Sequence, residues 1–186
     1  LKEKDGVRFL TVPSFDDSGI VNCAFSTRIG GVSKPPFDSL NFSLKREGIK
    51  ENFIENFKRI CGAADVDYTK LTLVNYAHGD GIHTVERGEE GKGLWRENDI
   101  PKCDALIIDK PGTAGATMHA DCVPVFVLDT KNKAVCISHA GWRGVAARLP
   151  GKIIKRFKAD YNSKSEHILT AIGPHIMSCC FEVQKD

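Results

Sequence analysis

The chain has 186 residues, 41% of them hydrophobic and 27% charged, a balance that suits one core inside a solvated surface. Its formal net charge of +2 is spread without a long basic block, which argues against a nucleic-acid or anionic-membrane footprint and for small-molecule chemistry. No apolar run has the length of a membrane span, and the N-terminus LKEKDGVRFL lacks a secretory core, so the expected setting is cytoplasmic.

Residues 20–26, IVNCAFS, predict a buried strand, followed by the loop TRIGGVSKPPFDSLNFS, whose Gly and Pro pairs forbid regular structure. In IKENFIENFKRICGA, residues Phe53, Ile54, Phe57, Ile60 and Cys61 share one helical face, and Gly62 is the expected stop. Strands are predicted at 71–77, 82–86, 104–108, 114–119, 123–128 and 133–138, which makes the middle of the chain a sheet. After GWRG, apolar residues from Val145 to Phe157 return to helical spacing, with Pro150 either kinking the helix or restarting it in a first turn. A last strand, HILTAIG, leads into PHIMSCCFEV. No repeat or linker divides the chain, so one α and β domain is expected over 1–186, cut short at its C-terminus just after CCFEV.

Three soft or borderline metal ligands fall at predicted strand ends. His78 precedes Gly79, Cys122 precedes VPVFVL, and His139 stands between AVCIS and AGWRG, where Gly141 and Gly144 permit close backbone approach. Two neutral imidazoles and a thiolate would leave a fourth tetrahedral position for water, as a catalytic zinc site requires; spacing alone is equally served by three packing residues. Arg28 in a glycine-rich loop and Arg143 between two glycines are suited to an anion, or to ordinary surface ion pairs. Asp121 could orient a ligand imidazole or shuttle protons, while Asp104 and Glu182 are further carboxylates that would serve equally as caps or surface charges. The seven cysteines are expected to be reduced and mostly buried, with the adjacent Cys179 and Cys180 packing in a core rather than acting in redox chemistry.

HADCVPVFVLD, SHAGWRG and AIGPHIMSCCFEV, with the early FSTRIGGVSKPPFDSLNFS, resemble the multicopper polyphenol oxidoreductase, or laccase-domain, family of purine nucleoside enzymes from about residue 24 to residue 183. The resemblance implies an α+β fold of mixed β-sheets flanked by helices, similar to cysteine-hydrolase folds. It implies zinc held by His78, Cys122 and His139, and substrate contacts from Arg28, Asn41 and Arg59. The activities implied are phosphorolysis of adenosine, inosine, guanosine and methylthioadenosine and deamination of adenosine, with purine nucleosides and inorganic phosphate as partners. Cys122, His139, Asp121 and Arg143 are the expected catalytic set. Tyr76 stands where the family usually has Gln, and His119 and Pro150 are further departures.

Six histidines and no HxH pair are too few for a four-copper oxidase. A single copper on the same two His and one Cys, with Met118 or Met177 as a weak axial ligand, is the first alternative. The others are a metal-free cysteine hydrolase, with Cys122 as nucleophile and His139 as base, and a non-catalytic nucleoside-binding domain.

Overall fold

The computed structural model describes residues 1–182 and begins with a hairpin of β1 (Lys2–Lys4) and β2 (Val7–Leu10), absent from the sequence-based expectation. Asp5 and Gly6 join the strands with φ of 52° and 74°, the positive values that a tight two-residue hairpin turn demands. A short helix, α1 (Pro13–Ser18), follows, opened by Pro13 and closed by left-handed Gly19. The strand expected at 20–26 contracts to β3 (Phe25–Ser26), which pairs with β2 to complete a three-stranded sheet.

The long loop then yields α2 (Leu44–Glu47) and α3 (Lys50–Ala63). Gly62 lies inside α3 rather than ending it, because Ala64 closes the last turn through its own N–H. Phe53, Phe57, Ile60 and Cys61 of α3 are buried, as their spacing predicts, against Val7 and Phe9 of β2 and Leu71 and Leu73 of β4 (Leu71–Leu73).

The central sheet contains β5 (Ile82–Thr84), β6 (Ala105–Ile108), β8 (Val123–Asp129), β9 (Ala134–Ala140) and β10 (Ile168–Ile172), in the order β10-β8-β9-β6-β5. Only β5 and β6 pair in parallel, so the sheet is mixed; β7 (Ala114–Ala116) pairs in parallel with β4 outside it. Alternation along the strands splits the sheet into two apolar faces. Ala105, Ile107, Val125, Val127 and Cys136 meet Leu149, Ile153 and Phe157 of α5 (Leu149–Tyr161), whereas Leu106, Phe126, Leu128 and Ile137 face the other way.

β9 passes through Gly141 into α4 (Trp142–Ala146), and Arg148 at φ 60° separates α4 from α5. Pro150 occupies the first turn of α5, so it restarts the helix instead of kinking it. The result is an α+β architecture with mixed sheets and flanking helices. No helix of the described residues is long and apolar enough to cross a membrane.

Candidate functional site

Register builds the site. Val123 pairs with Ala140 and Pro124 with His139, so Cys122, one step before β8, arrives beside Gly141, one step beyond β9. A methyl group placed on Gly141 would lie 3.4 Å from Cys122 Sγ, 3.7 Å from His139 Cε1 and 3.9 Å from His78 Cδ2. The three residues singled out as ligands therefore surround one point, although they are dispersed in sequence.

His78 reaches that point from a turn in which its own φ is 53°. The turn is held by Asp104, a wholly buried carboxylate just before β6. Its Oδ2 accepts the N–H groups of Ala77 at 3.2 Å and Gly79 at 2.7 Å, and its Oδ1 accepts that of His78 at 3.1 Å. Asp104 Oδ1 also lies 3.1 Å from His139 Nδ1, and the His139 N–H donates to the Asp104 carbonyl at 2.7 Å. Three successive main-chain N–H groups and the His139 ring thus converge on one carboxylate.

His139 is 5% exposed, and burial holds its imidazole below the ordinary histidine range, against the upward pull of Asp104. Cys122 is pushed above the ordinary thiol range by burial and then by the negative charges of Asp121 and Asp104. The His78 and His139 rings stand 5.1 Å apart and nearly perpendicular, at 84°.

Two further residues complete the wall. The Tyr76 and His139 rings stand 4.9 Å apart and nearly perpendicular, while the Tyr76 hydroxyl accepts the Met118 N–H and donates to the Met118 carbonyl. His119 lies 5.4 Å from His139 and is depressed to about 4, first by burial and then by the neighbouring His139. His78, His119, Cys122 and His139 all border a cavity of about 1590 Å³ whose other walls carry Phe25, Phe53, Phe57 and Phe126.

The remaining expected site residues divide. Arg28 and Asn41 line the cavity, but both are engaged. Arg28 donates to the Asp38 carbonyl at 2.8 and 2.5 Å and to the Asp38 carboxylate at 2.8 Å, and Asn41 donates to Glu47 at 2.7 Å. Arg59 sits on α3 bonded to Glu55 at 3.0 Å and to the Gly30 carbonyl at 3.3 Å, away from the cavity lining. Arg143 is exposed, its guanidinium 4.2 Å over the Trp142 ring, and is likewise outside the lining.

Asp121 is an exposed residue of the cavity wall; the carboxylate that meets an imidazole is Asp104, whose part spacing did not reveal because three of its partners are main-chain groups. Cys179 and Cys180 are exposed rather than packed, with their sulfurs 3.5 Å apart on a turn, and Met177 and Glu182 are exposed as well. Val183, the last residue of CCFEV, lies outside the described residues.

Among the described residues no three His, Cys, Asp or Glu side chains stand at the spacing of a preformed metal site. The donor set nevertheless fits a borderline ion: His139 has one ring nitrogen committed to a carboxylate, and a sulfur and a second imidazole lie beside it.

A family model described as multi-copper polyphenol oxidoreductase laccase matches residues 22–186. The chain is 35% identical over 175 residues to the purine nucleoside phosphorylase YfiH of Escherichia coli, covering 94% of this chain and 66% of that protein. It is 28% identical over 164 residues to the purine nucleoside phosphorylase YlmD of Bacillus subtilis, covering 88% of this chain and 59% of that protein. Among solved structures, YlmD from Geobacillus stearothermophilus superimposes with a TM-score of 0.86 at 28% identity, covering 97% of this chain and 66% of that one. The Bacillus licheniformis protein YfiH gives a TM-score of 0.79 at 34% identity, over 85% of this chain and 60% of that one. The chain thus spans 59% to 66% of the length of these relatives. With four-fifths and more of its residues matched in sequence and structure, the chain belongs to the multi-copper polyphenol oxidoreductase laccase, or laccase-domain, family.

Proposed function

We propose that this chain, read as one laccase-domain-like unit over 1–186, carries the zinc pocket of a cytoplasmic purine nucleoside phosphorylase. The proposed reactions are phosphorolysis of adenosine, inosine, guanosine and methylthioadenosine and deamination of adenosine. The observation that carries this reading is the convergence of His78, Cys122 and His139 around Gly141 in the cavity wall. The relatives named purine nucleoside phosphorylase supply the reaction class, and seven cysteines outside any disulfide support a reducing compartment.

His78, Cys122 and His139 would hold zinc, which when bound supplies a Lewis acid and a water of lowered pKa. Binding requires Cys122 as thiolate, so loading releases a proton from a thiol that burial and Asp121 keep protonated without metal. Phosphorolysis joins a phosphate oxygen to the anomeric carbon as the glycosidic electron pair leaves with the purine. Arg28, on the cavity wall, can meet the phosphate by exchanging Asp38 for it, and Arg143 offers its N–H edge while its face rests on Trp142. Asp121, the exposed neighbour of Cys122, would exchange protons there, and Asn41 on the cavity wall and Arg59 outside its lining would be the further substrate contacts.

Kinship with cysteine-hydrolase folds belongs to the same reading, supported by Cys122 and His139 at neighbouring ends of paired central strands. A metal-free hydrolase is disfavoured because the Cys122 thiol is shifted away from the thiolate. The test is metal analysis of the purified chain together with base and ammonia release from each nucleoside, with and without phosphate. The expected result is about one zinc per chain and base release that requires phosphate. Full turnover by metal-free protein, or bound copper with diphenol oxidation, would overturn it.

A further inference from the structure

We propose that Asp104 is the positioning residue of this pocket: it fixes which nitrogen of His139 faces Cys122 and, with the same carboxylate, the turn that delivers His78. The inference rests on the reading of these residues as metal ligands. It adds to that reading a group which itself touches neither metal nor substrate.

The geometry is a full valence count. Each carboxylate oxygen takes two donors: Oδ1 those of the His78 amide and the His139 ring, Oδ2 those of the Ala77 and Gly79 amides. Because amides can only donate, both oxygens must be acceptors, and the hydrogen between Asp104 and His139 must sit on Nδ1. An imidazole with its proton on Nδ1 and none on Nε2 has its lone pair on Nε2, the ring nitrogen that Asp104 leaves free, while Cε1, bonded to both nitrogens, borders the Gly141 point. The His139 amide bonded to the Asp104 carbonyl fixes the main chain from which that ring projects. One carboxylate thus couples two imidazoles that lie on separate segments.

An Asn at this position cannot satisfy the same donors. With its NH₂ toward the amides of Ala77 and Gly79 it opposes donors to donors and loosens the His78 turn. Flipped, it faces the His78 amide and His139 Nδ1, and the ring can comply only by moving its proton to Nε2, where it blocks coordination. Either way Asp104→Asn damages ligation without removing a ligand.

The experiment is heteronuclear NMR of the histidine ring nitrogens in the metal-free chain near neutral pH, followed by zinc titration against a chromophoric chelator. The wild-type chain is expected to show His139 protonated at Nδ1. Asp104→Asn is expected to show the other tautomer or exchange between the two, and zinc binding weaker by about 10- to 100-fold. An Nε2-protonated His139 in the wild-type chain overturns the proposal, and that outcome needs no variant to fold. Unchanged tautomer and zinc affinity in a folded Asp104→Asn chain also overturns it. A wild-type chain with the expected tautomer that binds no zinc overturns the metal reading instead, and upholds the orientation of His139 by Asp104.

Discussion

At the scale of single residues, cysteine shows how one side chain takes unlike roles in one chain. Cys136 is wholly enclosed beneath α5, and burial drives its thiol far up; Cys122, at the rim of the same sheet, is only partly covered. Cys122→Ser should therefore abolish zinc binding and turnover with little change in melting temperature. Cys136→Ser places a hydroxyl where no water reaches and should lower stability by about 1–3 kcal/mol while zinc content per folded chain is kept. Metal analysis and denaturant unfolding of both variants check the division; parallel losses in both would contradict it. The residue types of His78, Cys122 and His139, and the likeness of HADC and SHAGWRG to a family, pointed to the three side chains that converge at Gly141. Asp104 was named only as one further carboxylate, and its role was not legible, since a carboxylate that organises main-chain amides leaves no side-chain pattern to read.

At the scale of elements, two short connections stand at opposite ends of the β8–β9 pair, one away from the site and one beside it. The turn between β8 and β9 is capped by buried Asp129, which accepts the amides of Lys131 and Asn132 at 2.9 Å each. Burial raises the pKa of this carboxyl, but its hydrogen bonds outweigh that and hold it below the ordinary carboxylate range. Its stabilising contribution is thus present above that range and lost as pH falls through the lowered value. Asp129→Asn should cost about 1–3 kcal/mol near neutral pH, and the gap from wild type should narrow in acid, as urea unfolding at a series of pH values would show. The second connection is α4, whose Gly144 lies so close to the His78 turn that an added methyl would stand 2.7 Å from the Gly79 carbonyl oxygen. Gly144→Ala should displace that turn and weaken zinc binding by about tenfold or more, read by chelator competition. Close approach at Gly144 was foreseeable from the GWRG motif; its partner, Gly79, was not. Periodicity captured α3, α5 and the core strands, whereas the β1–β2 hairpin was betrayed only by Asp5-Gly6, and the strand expected at 71–77 stops after Leu73, before the chain turns at left-handed His78.

At the scale of the whole molecule, the cavity lies between the α3 layer and the face of the central sheet turned away from α5, so the wall with His78, Cys122 and His139 and the apolar wall come from distant parts of the chain. What joins them is strand register, and this fixes where the protein tolerates a change of length. Both faces of β8 are buried, Val125 and Val127 under α5 and Phe126 and Leu128 on the opposite side, so its pairing is pinned from two directions. A residue inserted after Lys131 is expected to bulge out in the turn, leaving zinc stoichiometry unchanged. A residue inserted after Phe126 would force a choice between the two halves of the strand. Keeping the half next to the turn in register moves Cys122 to the wrong side of the sheet, and zinc should no longer bind. Metal analysis of the two insertion variants measures this directly. The address of Cys122 is thus written as a count of residues along β8, and the turn at the far end of that strand serves as a buffer in which the count can change without being read.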